Sequence, residues 1–202
     1  EIEVAIDALV LPLRVAATYQ LGNSYRNVGR SLLDRARSLE DEGDGKQGQM
    51  RRQESLTAFD DARRYYRSLV NDEARAPGRV RVMSQYQMVR ASYQTEDYEG
   101  VVTETAELLS RFPGSEYEDA ALYDRGWAFY HMARYNAAIS SFEDLLAVSD
   151  DALKRDRSMF QMGESYILLG KNDEARAEYG HLVEQYDFTE LSNRELLQMK
   201  AQ

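Results

Sequence analysis

Cysteine is absent from the 202 residues, which excludes disulfides, thiolate nucleophiles and Cys-bearing zinc sites. The same absence leaves the redox compartment open. Histidine occurs twice, as His131 and His181, each alone and without HExxH-type spacing, so a metal centre is disfavoured. No GxxxxGK[ST] occurs, nor a GxGxxG following a strand, so phosphate cradles are not expected. Ser84, Ser141 and Ser165 sit in helical frames without an elbow motif, and Glu116, Glu118 and Asp119 read as first-turn partners of a helix dipole. Catalysis and a bound cofactor are therefore not expected. No apolar run approaches the roughly 18 residues of a helical membrane span. Basic residues are the minority, 25 Lys and Arg against 35 Asp and Glu, and the net charge of −10 argues against a nucleic-acid face. It suits solubility and a basic partner surface.

Proline numbers only three, and Ala, Leu, Glu and Arg are abundant, which favours helix throughout. The organising stretch is Phe112 to Leu146. Leu122, Gly126, Phe129 and Met132 step by three and four, and after a break at Arg134-Tyr135 come Ala138, Phe142 and Leu145. Neither helix alone can bury its stripe, so the pair must pack on itself and on further pairs. The same frame recurs at Met159, Gly163, Tyr166, Ala175 and Tyr179, and upstream at Val89, Tyr93, Tyr98, Val101 and Leu108. Val101, Ala138 and Ala175 are 37 apart (138−101, 175−138).

These residues resemble the tetratricopeptide repeat, which implies an all-α, right-handed α-solenoid of helix-turn-helix repeats over the whole chain. The frames place repeats at 79–113, 116–149 and 153–187, and a cap helix at 190–202 opened by Ser192 and Glu195. Residues 1–11 read as a partial repeat or a cap, ended by Pro12 at the first position of the next helix. Glu1 opens straight into helical periodicity, as a processed or excised piece of something longer would. Residues 13–76 read as a lengthened repeat: one helix to about Glu42, a Gly-rich loop to Gly48, and a second helix from about Gln49 to Ala74. The result is a protruding hairpin whose thin apolar stripe predicts low local stability.

In this family the first helices of the repeats line a groove that receives peptide. Carried over position by position, the resemblance implies a binding face of Asn23, Tyr86, Arg90, Tyr93, Tyr123, Trp127, Tyr130 and Phe160. Tyr19 and Gln20 depart from the family's Lys-and-Asn grip on peptide C-termini. Arg111 to Tyr123 is similar to bacterial envelope members, implying a periplasmic or cell-envelope location, with the cytoplasm as the other option. The expected function is a non-enzymatic scaffold for a protein or peptide partner. The alternatives left open are a small-molecule-binding accessory of a transporter, with Tyr123, Trp127, Phe160 and Met162 around a cavity, and a homo-oligomer joined through the hairpin.

Overall fold

The structure is a computed structural model that describes residues 2–185, with side chains for 10–184. The expected cap helix at 190–202 lies outside the described residues. The described residues form helices and turns with no strand, the all-α class expected: α1 Ile2–Asp41, α2 Gly45–Asn71, α3 Gly78–Gln94, α4 Tyr98–Arg111, α5 Glu118–His131, α6 Tyr135–Val148, α7 Ala152–Leu168 and α8 Asn172–Gln185. The chain divides into two compact units, residues 1–128 and 129–202, with the last turn of α5 in the second.

Each helix pair turns in the same way. Glu96, Ala133 and Gly170 hold the left-handed conformation, with φ of 60°, 56° and 73°. They are 37 apart (133−96, 170−133), the step of the core positions Val101, Ala138 and Ala175, all buried. The next N–H closes each helix on a carbonyl five residues back: Asp97 on Ser92, Arg134 on Phe129, Lys171 on Tyr166. This is the Schellman cap, whose left-handed residue is usually glycine. Only Gly170 satisfies that preference.

Gly43 makes the same turn in the first hairpin, at φ 87°, with Asp44 N–H bonded to the Leu39 carbonyl. The distances along the chain show what was inserted. From the turn residue to the buried alanine or valine of the second helix is 5 in the regular pairs (101−96, 138−133, 175−170) and 19 in the first (62−43), or 14 more. From the helix glycine to the turn is 7 in the regular pairs (133−126, 170−163) and 21 in the first (43−22), again 14 more. Each helix is thus lengthened by two heptads, about 21 Å of added arm. Equal insertions on both sides preserve the pairing register.

That register is antiparallel and unusually tight. Gly22 faces Tyr66, with the ring 2.6 Å from where a Cβ would stand, and Gly29 faces Phe59 at 2.8 Å. The two pairs sum alike (22+66, 29+59), so aromatic knobs on α2 enter glycine holes on α1 at heptad spacing. Ser55 Oγ donates to the Gly29 carbonyl at 2.7 Å, and Gly48 packs on Ala36 and Glu40 near the tip. Ala36, Phe59, Ala62 and Tyr66 are fully buried. The stripe is thin in leucine, as expected, because it is built from small residues that admit close backbones.

Two boundaries also differ from expectation. α1 runs straight through Pro12, which lies inside the helix at the cost of one backbone hydrogen bond. α2 begins at Gly45 rather than Gln49, because the Asp44 carboxylate caps it by accepting from Gln47 N–H at 3.2 Å. It ends at Asn71 rather than Ala74, where the Val70 carbonyl accepts from both Arg81 Nε and Arg111 Nη2, at 3.1 and 3.0 Å.

In the first unit α3 packs on α2 through Met88 against Ala62, Tyr66 and Val70, and Val89, Val101 and Ala128 form a further cluster. Glu104 is buried beside it, its carboxylate accepting from Gln85 Nε2 at 3.0 Å and Arg67 Nη2 at 3.3 Å. Burial pushes this acid up to about 7, with Arg67 and the Gln85 bond pulling the other way. In the second unit Gly163 receives the Tyr179 ring at 2.6 Å, the same arrangement as Gly22 and Tyr66.

Three outcomes test this description. Gly29→Val should lose about 1–3 kcal/mol by driving a branched side chain into the Phe59 ring, read as a lower denaturant midpoint. Ala133→Gly should gain about 0.5–1 kcal/mol, the left-handed penalty less the entropy of glycine. Glu104 binds its proton more tightly in the folded chain. Its stability contribution is therefore full below the ordinary value of 4.5 and lost as pH rises through about 7. Relative to Glu104→Gln, the native protein should lose stability from about pH 5 to pH 8; parallel pH profiles would refute the assignment.

Candidate functional site

Five of the eight expected site residues, all in the first unit, fall on one face of α3 and α5. Tyr86 and Tyr93 project from α3 one helical repeat of seven apart, with Arg90 between them. Tyr123 and Trp127 project from α5 four residues apart, their rings edge-to-face at 6.3 Å. The Tyr86 hydroxyl donates to Asp124 Oδ2 at 3.3 Å, and the Arg90 guanidinium bonds the same hydroxyl. Tyr117 stacks on Tyr86 with centroids 5.1 Å apart, and Tyr98 meets Tyr93 edge-to-face at 6.1 Å.

The rings are half-buried and Arg90 is exposed. Burial, with the Asp124 carboxylate next, pushes both Tyr86 and Tyr93 up to about 12. Both remain neutral hydroxyls over the whole physiological range. The face thus offers fixed aromatic surface, neutral donors and acceptors, one guanidinium and one carboxylate. Such a set suits recognition of a polypeptide more than bond-making. Among the described residues no group of His, Asp and Glu is placed to hold a metal ion, and no helix is long and apolar enough to cross a membrane.

The remaining expected residues stand apart. Asn23 lies on α1 and its amide is engaged internally: Oδ1 accepts from Tyr66 Oη at 2.9 Å and Nδ2 donates to Gln20 at 3.4 Å. Tyr130, in the second unit, packs edge-to-face on Tyr135 at 5.6 Å. Phe160 stands 52% exposed on α7 with its ring 5.5 Å from Tyr179. Met162 is buried at 3% and belongs to the core, so it does not line a shared hollow with Phe160. Asp124 and Tyr117 were not singled out from the sequence. Each sits in a run of acids and tyrosines, and only the fold reveals that both meet Tyr86.

The tetratricopeptide repeat family matches at residues 120–149 and 157–189. No curated protein matches the chain in sequence. Among solved structures, one titled MamA AMB-1 is similar in fold, with a TM-score of 0.50 at 15% identity, covering 84% of this chain and 96% of that one. The matched segments coincide with the α5–α6 and α7–α8 pairs, and the turn and core positions of those pairs repeat upstream at the same step of 37. Residues 120–149 and 157–189 thus carry tetratricopeptide repeats, a repeat type that supports a general reading as a scaffold for protein–protein contact, and the fold of the chain is similar to that of MamA.

Proposed function

We propose that the chain is a non-enzymatic adaptor that holds an extended or helical segment of a partner protein against the aromatic face of α3 and α5, within an assembly of the bacterial cell envelope. The observation that carries this reading is the linked set Tyr86, Arg90 and Asp124 flanked by Tyr93, Tyr123 and Trp127 on successive repeats. Half-buried aromatic rings anchor a partner at small entropic cost, because packing has already fixed them. Tyrosine, tryptophan and arginine are also the residues most enriched where binding energy concentrates. The envelope location is supported by the similarity of Arg111 to Tyr123 to envelope members of the family.

Trp127 tests the reading. It is half-buried, so Trp127→Ala should keep the fold while weakening the partner complex by well over tenfold, about 1.4 kcal/mol or more. The assay pairs thermal unfolding with binding of a partner captured from lysate. A variant destabilised by about 3–5 kcal/mol would mark Trp127 as core. Unchanged binding would remove it from the site.

A further inference from the structure

We propose that the seam between α1 and α3 takes an acidic segment of the partner, with Arg26, Arg30 and Arg90 as its cationic frame. The proposal rests on the groove reading above and names the chemistry of what lies there.

Most arginines of the first unit are neutralised within it. Arg35 pairs with Glu42, Arg52 with Glu40, Arg63 with Asp60, Arg67 with Glu104, and Arg81 and Arg111 share Glu73. Among the described residues Arg26, Arg30 and Arg90 make no ion pair. Arg26 donates to the neutral Oε1 of Gln87, and Arg90 bonds the neutral Tyr86 hydroxyl. Arg30 is exposed and makes no side-chain hydrogen bond among the described residues. The carboxylate facing this group is Asp124, which attracts Arg90 from α5 and already accepts from Tyr86.

The three cations converge by helix geometry. α1 and α3 both run antiparallel to α2, as the contacts of Gly22 with Tyr66 and Gly29 with Phe59, and of Arg81 with Val70 and Arg63 with Ser92, establish. They are therefore parallel to each other, joined where Arg26 meets Gln87. One turn further along, Arg30 on α1 and Arg90 on α3 flank the same seam. Guanidiniums bind carboxylates through paired, charge-assisted hydrogen bonds, and beyond Asp124, which is shared with Tyr86, such carboxylates would come from a partner. A polypeptide fits better than a nucleic acid, because the net charge of −10 repels a uniform polyanion while three arginines can seat a few local carboxylates. The overall charge alone suggested a basic partner; the local arrangement reverses that for this seam.

The test uses the full chain against a bead-displayed library of random peptides, then fluorescence polarisation with the strongest peptide selected. Selected peptides should be rich in Asp and Glu. Replacing their Glu by Gln should weaken binding about tenfold, and so should Arg30→Glu or Arg90→Glu in a chain with unchanged circular dichroism. Raising salt from about 0.1 M to about 1 M should weaken it too. Selection of neutral or basic peptides, or indifference to the Gln replacement, overturns the proposal. If such peptides are still lost in Trp127→Ala, the groove reading survives and only the acidic preference falls. If nothing is retained above the Arg30→Glu, Arg90→Glu double variant, both fall. A single-stranded oligonucleotide that outcompetes the acidic peptide would likewise overturn the assignment.

Discussion

Everything in the first unit depends on how closely α1 can approach α2. Tyr66 and Phe59 are fully buried, yet neither has a leucine-sized hole to enter. They enter instead the space that Gly22 and Gly29 leave by lacking a Cβ. Close approach brings the Ser55 hydroxyl onto the Gly29 carbonyl and seats Gly48 against the backbone of Ala36. The second unit repeats the device with Gly163 and Tyr179. Dispersion between backbones and rings at contact distance replaces the bulk of a larger core. The arm can therefore grow only in steps that return glycine to the same face, and it has grown by two heptads on each helix.

The turns set the second constraint. A left-handed residue every 37 positions redirects the chain after each first helix, and two of the three regular turns use residues that dislike this conformation, Glu96 and Ala133. The Schellman hydrogen bonds and the buried positions five residues on, Val101 and Ala138, hold them there. The penalty is tolerated because the rest of each pair determines where the turn must fall. This regularity carries Tyr86 and Tyr123 to matching places on successive first helices.

Electrostatics then divides the surface by use. Arg81 and Arg111 close the end of α2 at Val70 and flank the Phe112 ring at 5.4 and 5.8 Å. Arg67 compensates the buried Glu104. Arg90, which makes no ion pair among the described residues, lies on the aromatic face, where a ligand's charge can answer it.

The amino-acid sequence by itself determined the all-α class, the step of 37 and the presence of a lengthened first hairpin, because three-and-four periodicity and spacing are local properties of the chain. It also selected the aromatic and Arg positions of α3 and α5, since equivalent places in repeats share a face. It did not reveal the turn residues, because Glu96 and Ala133 carry no turn signature, nor the continuity of α1 through Pro12. It showed the arm's apolar stripe as thin, because the rings that fill the space at Gly22 and Gly29 come from the other helix, α2. Which hydroxyl meets which carboxylate, as Tyr86 meets Asp124, and which arginines stay unpaired are relations between distant segments. Those were decided by tertiary packing alone, since residues 38 apart in sequence meet only once the helices between them have stacked.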